Sequence, residues 1–367
     1  MPPKKPNGTP NPEGRRVTVR DIAKEVGLHF TTVAEALRGS SRIKESTRER
    51  VFEAADRLGY RPDPVLSALS AYRSSQLRSS FQGVMAWING FPERDLFTSE
   101  KSFYADCYSG SLERATSLGY NLEMFWVGGS QMTGKRISQI LQSRNIVGVI
   151  VGPMPAMLDE FHLEWEHFNS VRIGYSLKDS RITTVISDQY QNTRGIVEKL
   201  LKDGFRRIGF ACPRYLDSRV SNKFSGGYLS MIYNHFNEPP VPLYLDREPD
   251  GDPPKFLKWY NKYKPEVIVA GGRSIYYKML ADAGIRVPEE VQFVALHAEY
   301  LSSPVAGISQ NGKVVGATAV DHLISMIQGF KIGLESFPKT TMIPGRWVDG
   351  GSYDPALLKQ KADSILQ

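Results

Sequence analysis

From Phe81 onward, short apolar runs alternate with longer segments of helical spacing, and this alternation constrains the fold more than any other feature. The runs rich in β-branched and aromatic residues, which predict strands, are Gly83–Ile88, Asn121–Val127, Gly148–Val151, Val171–Tyr175, Arg207–Cys212, Val267–Ala270, Val291–Leu296 and Thr341–Ile343. The segments with helical spacing are Phe103–Leu118, Lys135–Ser143, Asn192–Lys202, Lys223–Tyr233, Ile275–Ala283 and Val314–Ile327. Such alternation predicts βαβ units and parallel sheets covered by helices on both faces.

The length of this α/β region predicts more than one sheet. Its 287 residues exceed what a single hydrophobic core normally supports, so two doubly wound lobes are expected. Ligands of such folds bind beyond the carboxyl ends of the strands. The expected ligand site is therefore the cleft between the lobes.

The positive charge of the chain is concentrated at its N-terminal end. Residues 1–80 hold 15 Lys and Arg against 9 Asp and Glu, whereas the remainder holds 31 against 30. A basic segment joined to a near-neutral body is typical of a nucleic-acid-binding module attached to a part with another task. An incidental basic tail is the alternative. Residues 1–16 have little to bury and are expected to form a disordered basic arm.

Apolar residues between Val17 and Tyr60 recur with the period of an α-helix. Thr18 with Asp21 forms a capping-box pattern, and Gly27 and Gly59 stand where helices stop. Three short helices with a tight connection predict a helix-turn-helix domain over residues 17–62. Its second helix, which would lie in the major groove, is expected from about Phe30 to Arg38 with Val33 and Leu37 facing inward. A three-helix bundle without DNA is the alternative.

Residues 63–80 are expected to contain one more short helix. Pro64 suits a first helical position, and Leu66 and Leu69 are spaced i, i+3. So short a segment is not helical alone in water. Beside a DNA-binding module it is suited to insert a leucine into the minor groove. A plain linker whose leucines pack on the core is the alternative.

Many segments together match the pattern of one known family. In the first domain they are Val17–Leu28, Thr32-Val33, Ala36-Leu37, Thr47–Val51 and Leu58–Pro62. Beyond it they are Phe103–Ala105, Gly110, Leu118–Tyr120, Gly148–Val151, Leu200–Phe210, Ala283–Val291 and Gly316-Ala317. In these segments the chain resembles the LacI/GalR family of bacterial transcription regulators, over residues 17–352. This resemblance implies a helix-turn-helix headpiece, a hinge helix and two lobes like those of periplasmic sugar-binding proteins.

The resemblance also implies how the chain is divided and what it binds. Three crossings between the lobes are expected, near Ser187, Gln310 and Pro338. The hinge and linker would span 63–80, the N-lobe 81–187 and 310–338, and the C-lobe 188–309 and 339–367. Members of the family form homodimers on a near-palindromic operator in double-stranded DNA, and the hinge leucine, here Leu69, opens the central base step. An effector in the cleft orders or melts the hinge helices.

The predicted DNA-binding residues are the outward positions of the recognition helix and its surroundings. They are Thr18, Phe30, Thr31, Thr32, Glu35, Arg38 and Leu69. Arg15, Arg16 and Lys44 are assigned to phosphates. Glu35 departs from the family pattern, which usually places an arginine there. Because a carboxylate accepts from cytosine N4 and cannot donate to guanine, we expect an operator unlike the usual family site.

The cleft departs from the family pattern at three places. Phe224 replaces a usual arginine, Gly271–Arg273 replaces an Asn-Asp pair, and His297 replaces an aspartate. Loss of these polar clamps disfavours a neutral hexose. Arg273 and His297 instead indicate a sugar derivative of the anionic class, and three aromatic residues offer stacking faces. A vestigial cleft is the alternative. The predicted effector-binding residues are Phe103, Tyr104, Tyr175, Phe224, Arg273 and His297.

Enzymatic function finds no support in the sequence, and neither a cofactor nor a metal is predicted. Gly129–Arg136 nearly spells a P-loop, but Arg136 stands where a hydroxyl must reach magnesium. His162 and His167, in a cluster of metal-ligand residue types, are five positions apart and do not share a helix face.

The expected compartment is the cytoplasm. Cys107 and Cys212 are the only cysteines, which fits a reducing environment. No run approaches the roughly 18 apolar residues of a membrane helix, and no secretory signal is recognised. We therefore expect a soluble, ligand-responsive regulator, a repressor rather than an activator. A small-molecule binder of the periplasmic-receptor type, without a role in DNA binding, is the alternative; it needs an export signal and leaves residues 17–60 unused.

Overall fold

The computed structural model describes residues 17–37, 43–60, 81–99, 102–129, 132–154, 161–177, 181–248, 251–272, 275–298, 305–329 and 332–358. The chain separates into two compact units, residues 1–80 and residues 81–367. No helix in these described ranges is long and apolar enough to cross a membrane.

The first unit contains three helices among its described residues: α1 (Val19–Val26), α2 (Phe30–Leu37) and α3 (Glu45–Leu58). The predicted capping box is present at the start of α1, where the backbone N–H and the hydroxyl of Thr18 both donate to the Asp21 carboxylate, at 2.7 and 2.6 Å. The apolar face of each helix points into one small core. Its fully buried members are Ile22, Val33, Ala36, Val51 and Ala54.

The second unit alternates strands and helices in the following chain order: β1 (Gly83–Asn89), α4 (Leu96–Ser99), α5 (Phe103–Ser117), β2 (Tyr120–Trp126), α6 (Gly134–Ser143), β3 (Gly148–Val151), β4 (Asn169–Ile173), β5 (Thr183–Ser187), α7 (Gln189–Lys202), β6 (Ile208–Pro213), α8 (Arg214–Arg219), α9 (Lys223–His235), β7 (Tyr244–Asp246), α10 (Pro253–Tyr263), β8 (Val267–Ala270), α11 (Ile275–Asp282), β9 (Gln292–Ala295), β10 (Gly307–Ser309), α12 (Gly312–Gln328), β11 (Thr340–Ile343) and β12 (Arg346–Val348). A single turn of 3₁₀ helix, Trp165–His167, precedes β4.

The first lobe is built on a parallel sheet with the strand order β11-β5-β4-β3-β1-β2. Helices α5 and α12 pack on one face of it and on each other. Two glycines permit this close approach, since a Cβ on Gly110 would lie 2.1 Å from the Lys313 carbonyl oxygen and one on Gly316 would lie 2.0 Å from that of Cys107. Helix α6 contributes to the core on the opposite face.

The second lobe has the strand order β12-β10-β9-β8-β6-β7. Its strands are parallel except for the edge strand β12, which runs antiparallel to β10. Helices α7 and α9 contribute to the core on one face, and α10 and α11 contribute to the core on the other. The architecture is the predicted pair of doubly wound α/β lobes.

The chain crosses between the lobes at three places. The first two crossings follow β5 and β10. The third lies later than the position near Pro338 that we expected. β11 pairs with β5 from Thr340 to Ile343, so this segment is held in the first sheet by a four-residue ladder. The crossing therefore falls at residues 344–345, where β11 and β12 are joined.

Candidate functional sites

Helix α2 presents one face to the core and the other to solvent. Val33 and Ala36 are fully buried, whereas Phe30 is 44% exposed and Thr31 is also exposed. Thr32 and Glu35 are half-buried on the flank of the helix. This division of faces leaves the N-terminal residues of α2 accessible, as base reading in the major groove requires.

Two residues that the sequence-based list omitted complete this surface. The guanidinium of Arg20, in the first turn of α1, lies 5.7 Å from the ring centroid of Phe30. The imidazole of His29 lies 4.6 Å from the same ring, and its Nδ1 is 2.8 Å from the Thr31 hydroxyl oxygen. Arg20, His29, Phe30 and Thr31 therefore form one exposed patch, which we call the reading face. The residue pattern does not indicate Arg20 as a DNA-binding residue, because its contact with Phe30 forms only when α1 packs against α2.

Of the remaining predicted DNA-binding residues, the structure describes Thr18 and Lys44. Thr18 is half-buried and its hydroxyl is engaged by Asp21, so its local role is to begin α1. Lys44 is exposed immediately before α3. Arg15, Arg16, Arg38 and Leu69 lie outside the described residues.

The aromatic residues of the first lobe that were predicted to bind the effector pack against one another. Phe103 and Tyr104 lie at the start of α5, where the Ser102 hydroxyl accepts from the Ala105 N–H at 3.1 Å and caps the helix. The Tyr104 ring lies 5.0 Å from Phe91 and 6.2 Å from Phe103. These rings are held in a packed block, so the stacking faces predicted from the sequence stand on a rigid support.

Tyr175 follows β4 and lies between two cations. The Arg172 guanidinium is 6.0 Å from its ring centroid, and the Lys223 ammonium is 5.5 Å from it on the side of the second lobe. Burial raises the pKa of the Tyr175 hydroxyl, so the phenol is neutral at physiological pH. Lys223 was absent from the predicted residues. It is the neighbour of Phe224 in sequence and lies one position before the place where the family pattern has its arginine.

The predicted second-lobe residues prove to be less available than expected. Phe224 is 1% exposed and packs in the core beneath α9. Its ring lies 5.5 Å from that of His297, which is half-buried. Desolvation lowers the pKa of His297 to about 4. His297 is thus neutral at pH 7 and does not supply the positive charge that we expected from it. Arg273 lies outside the described residues.

A direct hydrogen bond also joins the two lobes beside Lys223. The Arg219 guanidinium, at the end of α8, donates to the Met154 carbonyl oxygen at 2.6 Å. The short α8 is held against α9 by Asp217, whose Oδ1 accepts from the Ser225 N–H at 3.1 Å. The start of α9 therefore has a defined position relative to the first lobe. Among the described residues, no cluster of three or more metal-ligand side chains is found.

Comparison with known protein families agrees with the helix-turn-helix fold of the first unit. Residues 18–63 match the model described as bacterial regulatory proteins, lacI family. This unit therefore carries the DNA-binding domain of the LacI family. Residues 197–353 match a periplasmic binding protein-like domain. This range includes most of the second lobe together with α12, β11 and β12. The predicted family and fold class are confirmed.

Relatives of known role extend the match over most of the chain. The HTH-type transcriptional repressor ExuR of Bacillus subtilis (strain 168) is 23% identical over 331 residues, covering 85% of this chain and 92% of the relative. The repressor PurR of Edwardsiella ictaluri is 23% identical over 84% of this chain and 90% of the relative. These relatives are repressors rather than enzymes, and this chain combines a LacI-family DNA-binding domain with a periplasmic binding protein-like domain.

Solved structures of the LacI family share the fold. A complex of the transcriptional regulator CelR with cellobiose has a TM-score of 0.55 at 20% identity and covers 92% of this chain and all of that one. The lac repressor dimer bound to operator and the anti-inducer ONPF has a TM-score of 0.53 at 18% identity and covers 92% and 99%. At these identities the likeness establishes the architecture alone.

Proposed function

We propose that this chain is a repressor that binds a near-palindromic operator as a homodimer and releases or strengthens that contact when a small molecule occupies the interlobe cleft. The observation that carries the proposal is the reading face: an exposed aromatic and polar surface on α2, backed by a fully buried Val33 and Ala36. Phe30 is 44% exposed and lies beside the Arg20 guanidinium, an arrangement that the stability of a three-helix bundle does not require.

Two copies of the chain suit this mode of reading. One α2 helix covers one half-site, and a dimer places two such helices on half-sites about 34 Å apart. Two-fold symmetry in the protein then requires approximate symmetry in the operator. The lac repressor, whose fold this chain shares, was solved as a dimer on its operator. Repression is supported by the relatives, which are named repressors.

The cleft is the proposed effector site. Its support is that Lys223 of the second lobe lies 5.5 Å from the ring centroid of Tyr175 of the first lobe. CelR was solved with cellobiose and a further LacI-family regulator with ribose, which supports a sugar or sugar derivative as the general class. A ligand that contacts both lobes changes their relative orientation, which is the means of coupling to the DNA-binding unit.

The experiment is a selection of bound duplexes from random DNA by the purified full-length protein, followed by the affinity of the winning sequence against salt concentration. We expect an enriched near-palindrome whose affinity falls steeply as salt rises, because each neutralised phosphate releases counterions. The molar mass of the complex should correspond to two chains on one duplex.

The alternative, a small-molecule binder without a DNA role, predicts a different outcome. Such a protein would show only weak, salt-sensitive binding with no enriched sequence, in the presence and in the absence of candidate effectors. That result would overturn the operator proposal and leave the cleft as the functional site.

A further inference from the structure

We infer that Asn192 and Asn311 are positioning residues of the three crossings between the lobes. Their side-chain amides tie the third crossing to the first and to the second, and in this way they set the relative orientation of the two lobes. Only the consequence for DNA rests on the proposed function, in which lobe orientation controls operator binding. The inference goes beyond that function by naming residues that hold the orientation, at the crossings rather than among the predicted effector-binding residues.

The third crossing packs closely against the second. Only Pro344 and Gly345 separate β11, which is held in the first sheet, from β12, which is held in the second. A Cβ on Gly345 would lie 2.4 Å from Cγ2 of Ile308 and 2.6 Å from the Ser309 carbonyl oxygen. The backbone of the third crossing therefore lies directly against β10, the strand that leads into the second crossing.

Asn192 links the third crossing to the first. It lies in the first turn of α7, is 8% exposed, and its Nδ2 donates at 3.1 Å to the hydroxyl oxygen of Ser187, the last residue of β5. Its Oδ1 accepts from the Gly345 N–H at 2.7 Å. The Asp188 N–H donates to the Ile343 carbonyl oxygen at 2.8 Å, which joins the same two segments through the backbone. Because an amide carries both a donor and an acceptor, asparagine serves both crossings at once.

Asn311 links the third crossing to the second. It stands between β10 and α12 with φ of 54° and ψ of 47°, in the left-handed region that asparagine adopts more readily than most residues. Its Nδ2 donates to the Pro344 carbonyl oxygen at 2.8 Å. Each residue of the third crossing therefore bonds one asparagine amide, Pro344 that of Asn311 and Gly345 that of Asn192.

These hydrogen bonds make one lobe orientation more favourable than others. Asn192 belongs to a helix of the second lobe, whereas Ser187 ends a strand of the first. A rotation of the lobes that separates the crossings would leave the nearly buried donor and acceptor of Asn192 without partners, which is costly. Removing the amides removes this preference and shifts the population of lobe orientations.

The test measures the distance between the lobes in the full-length protein without DNA. Ser143→Cys on the first lobe and Lys278→Cys on the second introduce one spin label each at exposed helical positions, while Cys107 and Cys212 are buried. Labelled chains are diluted with unlabelled chains, so that the distance within one chain is measured. Double electron–electron resonance then gives the mean and the width of the lobe-to-lobe distance.

Two variants remove the two links separately. Asn192→Leu deletes both hydrogen bonds at nearly constant volume, and Asn311→Gly deletes the amide while glycine keeps the left-handed backbone. Each should shift the mean lobe-to-lobe distance, or broaden its distribution, by about 2 Å or more, which is the scale of a domain rearrangement. Thermal unfolding of each variant confirms that the second unit is folded.

The matched control is Gln292→Leu. Gln292 is 4% exposed, and its amide donates to the Asp354 carbonyl oxygen and accepts from the Asp354 N–H, each at 2.6 Å, within the second lobe. The control therefore deletes as many buried hydrogen bonds as Asn192→Leu without touching a crossing. Its lobe-to-lobe distance should equal that of the parent.

An unchanged lobe-to-lobe distance in Asn192→Leu overturns the inference, and an unchanged distance in Asn311→Gly removes Asn311 from it. An equal change in Gln292→Leu also overturns it, because the effect would then be general loosening of the fold. These readings need no DNA, so they hold whether or not the chain binds an operator.

The affinity of the same variants for the selected operator tests the link to DNA. It should change about fivefold or more in Asn192→Leu and Asn311→Gly, the lower end of common couplings between sites, and stay at the parent value in Gln292→Leu. A changed distance with unchanged affinity overturns the link to DNA and retains the role at the crossings. Failure of the parent chain to bind any selected DNA overturns the proposed function instead.

Discussion

The guanidinium of Arg20 lies 5.7 Å from the ring centroid of Phe30 and so links the first helix of the DNA-binding unit to its recognition helix. The contact orients an exposed ring that has no place in the core. The contact gives the start of α2 a defined surface. On this surface the Phe30 ring is available to thymine methyl groups, and the neighbouring hydroxyl groups are available to polar base edges.

Phe30→Ala should weaken operator binding while leaving the fold intact. Because Phe30 is 44% exposed, its removal costs little stability. Loss of one base contact should lower specific affinity about tenfold, the scale of one mismatched base pair. Fluorescence anisotropy on the selected operator measures this, and Tyr233→Ala, which removes another exposed ring, serves as control. Equal loss in both variants would remove Phe30 from the reading face.

Glu35→Arg should change the base preference at one position of each half-site. A carboxylate accepts from cytosine N4, whereas an arginine donates to guanine O6 and N7. Repeating the selection with the variant measures the change. The same preferred base at every position in both proteins would show that Glu35 does not contact bases.

Leu69→Ala should reduce specific binding more than non-specific binding. A leucine that opens a base step acts only on the properly seated complex, while contacts to phosphates serve both modes. The ratio of the two affinities, measured on the operator and on a scrambled duplex, should fall. An unchanged ratio would favour the plain linker. Leu69 lies outside the described residues, so its role stays a prediction.

Ile22→Ala should unfold the first unit selectively. Ile22 is fully buried in a core of few residues, and a large-to-small change at such a site costs about 2–5 kcal/mol. Operator binding should be lost while calorimetry still detects effector binding, since the two units have separate cores. Ile22→Val, a smaller deletion, should retain most DNA binding. Simultaneous loss of both activities would show that the two units fold together.

His297 should make the second unit less stable in acid. Its pKa is lowered from 6.5 to about 4 in the folded chain, so between these values the unfolded state binds a proton that the folded state does not. Stability is therefore lost as pH falls from about 6.5 toward 4. Thermal unfolding across this range should show a shallower pH dependence in His297→Gln. His235→Gln, at an exposed histidine, is the control. Identical slopes in His297→Gln and the parent would contradict the assignment.

Strand prediction succeeded where the local pattern was sufficient. β3 and β8 begin and end where the sequence predicted, because each is a continuous apolar run buried on both faces. β5 was missed because three of its five residues carry hydroxyl groups, and Thr183–Ser187 is a strand through its pairing with β4 and β11. The three-residue strands β7, β10 and β12 are too short to show a period and exist through their ladders.

The sequence by itself determined the family, the three helices of the DNA-binding unit and the two α/β lobes, since each follows from local periodicity, caps and contiguous motifs. Tertiary structure alone decided that Arg20 meets Phe30, that Phe224 is buried in the core and that Lys223 faces Tyr175. The physical reason is distance along the chain. A helix or strand is specified by neighbours a few residues away, whereas these contacts depend on how separate elements pack, across ten positions for Arg20 and Phe30 and 48 for Tyr175 and Lys223.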